Sequence, residues 1–230
     1  MNIKFATIWG IPLRLNLSWF VIFALVTWSL AVGYFPNQYR GLTQPLTWIL
    51  GAVTALLFAL SVLLHELGHA YFALHSGIAI KSITLFLFGG VAQLSREPDS
   101  PGAEFKIALA GPVVSLGLAG VYGAVYLGDL ALAGDALPAI TAPALWLLRI
   151  NLVLALFNLI PGFPLDGGHV LRAILWKVTG SENKANRIAA ISGQVVSYSL
   201  MGIGLFLAVS TSVSNGVWLV LIGWYLSGIA

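Results

Sequence analysis

The stretch Leu46 to Leu74, LTWILGAVTALLFALSVLLHELGHAYFAL, decides how this chain is built. It is longer than the roughly 20 residues that a helix rising about 1.5 Å per residue needs to cross about 30 Å of hydrocarbon. Its one formally charged side chain, Glu66, stands near the far end between His65 and His69. Ionisable groups are costly inside a spanning helix, and where they occur they mark function. In His65-Glu66-Leu67-Gly68-His69 the two imidazoles are four residues apart and project from one helix face, where both can reach one tetrahedral cation. Glu66 stands beside that cation without ligating it. At this chain's composition the His-Glu-any-any-His spacing arises by chance in roughly one such sequence in a thousand.

The rest of the chain agrees with a bilayer setting. Of 230 residues, 59% are apolar and only 8% are Asp, Glu, Lys or Arg, against about 25% charged residues in soluble domains. A soluble globule of this size cannot be surfaced with so few charges. The chain has no cysteine, which excludes a disulfide framework and any thiolate-ligated metal or iron–sulfur centre. The net charge of +3 is too small to imply nucleic-acid binding. The expected fold class is therefore an all-α polytopic membrane protein of about six transmembrane helices, with short interfacial or re-entrant β segments.

Six charge-poor runs meet the length rule: Leu17 to Tyr34, Leu46 to Leu74, Phe105 to Leu127, Ala144 to Ile160, Ile188 to Val209, and Val217 to the C-terminus. The fourth runs into Pro161, Gly162 and Pro164, which must break regular helix hydrogen bonding before a short helix resumes near Gly168. Backbone freed at that depth has to meet protein or a wet cavity. With the N-terminus inside, Lys4, Arg14, Lys81, Arg96, Lys106, Arg172, Lys177, Lys184 and Arg187 all fall on the inner side. Arg40 falls outside with Asp129 and Asp135, and Arg149 lies near the outer end of the fourth helix, placed to snorkel to headgroups. The positive-inside rule then puts both termini in the cytoplasm, in a cell (inner) membrane. Gly10 to Asn16 alternates like a short interfacial strand, and Ile78 to Leu94, interrupted by Gly89 and Gly90, reads as strands or a re-entrant hairpin.

A catalytic zinc takes three protein ligands and keeps one position open. Without cysteine the third must be His, Asp or Glu. His75 lies six residues beyond His69, about 600° round the helix, and points elsewhere. Asp166 is the best candidate, because its segment and the second helix both run from outside to inside and bring it to a similar depth. Its competing role is to cap the short helix that follows. His169 and Arg172 read as structural or lipid-facing residues near the inner interface, and His75 as a satisfied helix-end histidine.

Taken with Asn158, Pro161, Pro164 and Asp166-Gly167 about a hundred residues downstream, the His-Glu-Leu-Gly-His helix resembles the site-2 protease family of intramembrane zinc metalloproteases. The resemblance extends to Phe88-Gly-Gly90, to Ala110-Gly111-Pro112 and to Phe163-Pro-Leu-Asp-Gly-Gly-His-Val-Leu-Arg172. It implies one catalytic zinc ion held by His65, His69 and Asp166, Glu66 as catalytic base, and Asn158 as a substrate-positioning or oxyanion residue. It implies membrane-anchored, single-span protein substrates cleaved within or near the bilayer by regulated intramembrane proteolysis. Hydrolysis requires a substrate helix to unwind, and an unwound strand can pair with an edge in Ile83 to Val91, with Gly89 and Gly90 as substrate-binding residues that permit close approach. The most similar branch often continues into nucleotide-binding regulatory domains of the cystathionine-beta-synthase type. Residues 1–230 therefore read as a single transmembrane metalloprotease core, and we expect a longer native chain carrying such a domain. The competing reading is an ion or metal transporter built round the same His, Glu and Asp residues.

Overall fold

The computed structural model describes residues 2–39, 41–87, 89–133, 137–211 and 213–228. Arg40, Phe88 and Asp135, which entered the charge assignment and the Phe-Gly-Gly motif, lie outside the described residues. The chain divides into two compact units, residues 1–97 with 113–155, and residues 98–112 with 156–230.

The first unit opens with strands β1 (Asn2–Ile8) and β2 (Ile11–Asn16). They form an antiparallel hairpin in which Ile8 faces Ile11 across Trp9 and Gly10. Both turn residues have positive φ, 53° and 78°, the geometry that lets a two-residue turn follow the twist of its strands. The expected strand at Gly10 to Asn16 is thus half of a hairpin, whose first strand the mixed composition of Asn2 to Ile8 conceals. Strands β3 (Ile80–Phe86) and β4 (Gly89–Leu94) form the second hairpin. β2 pairs in parallel with β3, Leu13 facing Ile83, to complete a four-stranded sheet in the order β1-β2-β3-β4. Ile11, Leu13, Ile83 and Leu85 are buried.

Helix α1 (Leu17–Trp28) starts where the Asn16 side chain accepts a hydrogen bond from the Ser18 N–H at 3.0 Å. It continues through a π-helical stretch, Ser29–Tyr34, into the short α2 (Phe35–Gln38). Helix α3 (Gln44–His75) has Pro45 in its first turn and is closed by Ser76 and Gly77, with the Ile78 N–H reaching back to the Ala73 carbonyl at 2.9 Å. Its 32 residues correspond to about 48 Å, enough to cross a bilayer with length to spare. Helices α4 (Pro101–Ala133) and α5 (Pro138–Asn158) each contribute to both units. Leu30, Phe35, Leu50 and Ala142 form one apolar core, flanked by Val26, Tyr34 and Trp146.

The second unit holds the start of α4, the end of α5, and helices α6 (Asp166–Thr179), α7 (Glu182–Ser210) and α8 (Val213–Ser227). Between α5 and α6 the chain is irregular, as its prolines require, and α7 takes up the freed backbone. The Phe163 N–H donates to the Ala189 carbonyl at 3.4 Å, and the Ser192 hydroxyl donates to the Pro161 carbonyl. A Cβ on Gly193 would lie 2.1 Å from the Phe163 carbonyl oxygen, so only glycine lets α7 approach this closely. Arg172 is buried rather than lipid-facing. It pairs with buried Glu104 at 3.4 Å and with half-exposed Glu182 at 2.6 Å, linking α6 to the starts of α4 and α7. His169 Nδ1 lies 3.1 Å from the same Glu104 oxygen.

Among the described residues, five helices are long and apolar enough to span a membrane, by length and composition: Leu17–Gln38, Gln44–His75, Pro101–Leu132, Pro138–Asn158 and Glu182–Ser210. The sixth expected span corresponds to the shorter apolar helix Gly216–Ser227. Large apolar side chains such as Ile49, Leu56, Val195 and Phe206 face outward, whereas Thr54, Ser61, His65, Ser115 and Asn151 are buried. That inversion of the soluble pattern fits a multi-pass membrane protein.

Candidate metal centre

In the first unit the two histidines leave α3 one turn apart, both buried. Their Nε2 atoms are 3.2 Å apart, and the rings meet edge-on at 77°. An ion bound tetrahedrally at about 2.0–2.1 Å from each nitrogen requires a separation of about 3.3 Å. The pair therefore fits a metal of zinc's geometry without rearrangement. The remaining nitrogen of His65, Nδ1, lies 2.9 Å from the hydroxyl oxygen of Ser115 on α4.

Glu66 turns toward the sheet. Its Oε2 accepts a hydrogen bond from the backbone N–H of Ala92 on β4 at 3.0 Å. A Cβ on Gly90 would lie 2.5 Å from Glu66 Cγ. The absence of a side chain at Gly90 thus allows the carboxylate to lie against the strand. Gly89, with φ 137°, takes a backbone conformation that other residues rarely adopt.

Asp166 and Asn158 belong to the second unit. Asn158 is the last residue of α5 and is half-buried. Asp166 is the first residue of α6, also half-buried, and Leu165 takes the N-cap position in its place. The two glycines that follow pack against the irregular segment. A Cβ on Gly167 would lie 2.4 Å from the Leu159 carbonyl, and one on Gly168 would lie 2.5 Å from the Gly162 carbonyl carbon. Asp166-Gly-Gly is thus a carboxylate at a helix start fixed by close backbone packing. His75, as expected, is satisfied locally, its Nδ1 lying 2.8 Å from the Tyr71 carbonyl.

Two contacts escape the sequence reading. Ser115 lies only three residues beyond Ala110-Gly111-Pro112, but nothing local distinguishes it from other small residues of that helix. Ala92 acts through its backbone, which has no sequence signature at all.

Residues 53–135 and 130–203 match the model of Peptidase family M50. A protein of Synechocystis named "Putative zinc metalloprotease sll0528" is 44% identical over 98% of this chain and 58% of its own length. "Zinc metalloprotease MJ0392" of Methanocaldococcus jannaschii is 36% identical over 89% of this chain and 54% of its own. The chain spans a little over half the length of these curated relatives. The solved structure titled "Site-2 Protease from Methanocaldococcus jannaschii" aligns with a TM-score of 0.62 at 32% identity, covering 99% of this chain and 93% of that one. With its family model matched across the paired histidines and the Asp-Gly-Gly turn, the chain belongs to peptidase family M50.

Proposed function

We propose that this chain is an intramembrane zinc metalloprotease that hydrolyses peptide bonds within or near the transmembrane segments of membrane-anchored, single-span proteins. The observation that carries the reading is the 3.2 Å separation of the His65 and His69 Nε2 atoms beside a carboxylate held in place by β4. His65, His69 and Asp166 hold one ion. The two histidines supply the paired nitrogens, and Asp166 is the third ligand that the resemblance implies. When bound, a zinc ion supplies Lewis acidity and makes hydroxide available near neutral pH. Glu66 accepts a proton on its carboxylate as water attacks the scissile carbonyl and delivers it to the leaving amine. Asn158 donates a hydrogen bond to the developing oxyanion. An unwound substrate strand adds to the outer edge of β4, where Gly89 and Gly90 permit close approach.

The distribution of Lys and Arg supports a cell (inner) membrane location with both termini cytoplasmic. The transporter reading draws no support from the relatives, whose names are those of metalloproteases. The test is metal analysis of the purified full chain in detergent, together with cleavage of a single-span peptide with and without chelator. Stoichiometric zinc and chelator-sensitive cleavage are expected. A zinc-free protein, or cleavage indifferent to Glu66→Gln, would overturn the reading.

A further inference from the structure

We infer that Ser115 is a positioning residue for the metal centre, holding His65 in the one tautomer that can ligate through Nε2. The inference rests on the zinc reading and adds to it a group that acts through a ligand rather than on the ion.

The two Nε2 atoms stand 3.2 Å apart. Nitrogens that converge on one cation must both present lone pairs. A neutral imidazole with its lone pair on Nε2 carries its proton on Nδ1. The Nδ1–H of His65 then needs an acceptor, and the hydroxyl oxygen of Ser115 stands 2.9 Å from it. Ser115 has no solvent exposure and His65 only 3%, so bulk water cannot replace the hydroxyl. With this hydroxyl in place the ring is held in orientation, and an acceptor stands ready for the Nδ1–H that ligation through Nε2 requires. Without it, the proton is free to move to Nε2, which then presents N–H where a lone pair is required. The partner on the second nitrogen of a metal-ligating histidine typically changes metal affinity by about 10–100-fold. Ser115 also comes from a different helix, so the contact sets the ring of an α3 residue from α4.

The experiment compares Ser115→Thr with Ser115→Val in the purified full chain. The two replacements have the same shape and add the same bulk to a buried site, and differ only in the hydroxyl. Zinc affinity is measured by competition with a chromophoric chelator, and the His65 tautomer by nitrogen-15 NMR of the zinc-free protein. Val should bind zinc about 10–100-fold more weakly than Thr, and should lose the Nδ1–H tautomer that wild type and Thr retain. Ser115→Ala, which removes the oxygen without adding bulk, should behave like Val. Equal zinc affinity in all variants with an unchanged tautomer would overturn the inference. Failure of the wild type to bind zinc would instead overturn the proposed function. The tautomer comparison on zinc-free protein would still decide the role of Ser115.

Discussion

Among the described residues, two buried polar clusters are satisfied in different ways. In the first unit, the Ser115 hydroxyl stands at His65 and the Ala92 backbone amide donates to Glu66, while His65 and His69 bring their Nε2 atoms together. In the second, Arg172 is set against Glu104 and Glu182. The second cluster supplies its own counter-charges and serves to join three helices. The first leaves two nitrogens pointed at a common position and a carboxylate beside them. In a medium of low dielectric, polar groups are costly unless paired. A pair of ring nitrogens 3.2 Å apart is the spacing that a shared cation requires. A self-compensating cluster is arranged for stability.

The largest effects are expected in the first cluster. Glu66→Gln should retain zinc while lowering peptide cleavage about 10²–10⁴-fold, the usual contribution of a general base. His65→Ala should lose zinc and cleavage together. Both are read by metal analysis beside a cleavage assay, and a Gln variant that cleaves normally would remove the functional half of the contrast. In the second cluster the corresponding change should act on stability. Glu104→Ala leaves the Arg172 guanidinium, 5% exposed, short of its buried partner and should cost about 3–5 kcal/mol. Thermal unfolding in detergent measures this, with zinc content per folded molecule unchanged.

Smaller effects sharpen the same contrast. Gly90→Ala should displace the Glu66 carboxylate from β4 and lower kcat more than it raises KM, with zinc retained. An unchanged kcat would show that the strand does not hold the base. Smallest of all, Glu182→Ala should cost only about 0–1 kcal/mol, since that carboxylate is 48% exposed and solvent screens the pair. One arginine with two carboxylate partners thus provides an internal standard. If Glu104 and Glu182 variants were equally stable, burial would not be what distinguishes them.

The legible part of the site is the part that a single helix encodes. His65 and His69 share a face because four residues make about one turn, and that relation holds wherever the helix packs. Asp166 enters the proposed site by elimination and depth, and the irregular segment before it is legible in its prolines. Ser115 and Ala92 were not legible, because they lie 50 and 26 residues from their partners and contribute an ordinary hydroxyl and an amide common to every residue. The same limit applied to the fold. The strand character of Ile78 to Leu94 shows in its β-branched and aromatic residues, but the parallel pairing of Leu13 with Ile83 depends on where helices α1 to α3 return the chain.

The hydrogen bond from Ala92 to Glu66 also bears on what the sheet will accept. β4 is the last strand in the sheet's order, and an open strand edge normally pairs with any extended chain that reaches it, including those that lead to aggregation. Here one donor along that edge is already engaged by the Glu66 side chain. A chance strand gains less from docking at Ala92 than it would on a bare edge. The edge therefore offers one fewer free donor, and the group that occupies it is the same side chain that the proposed chemistry requires.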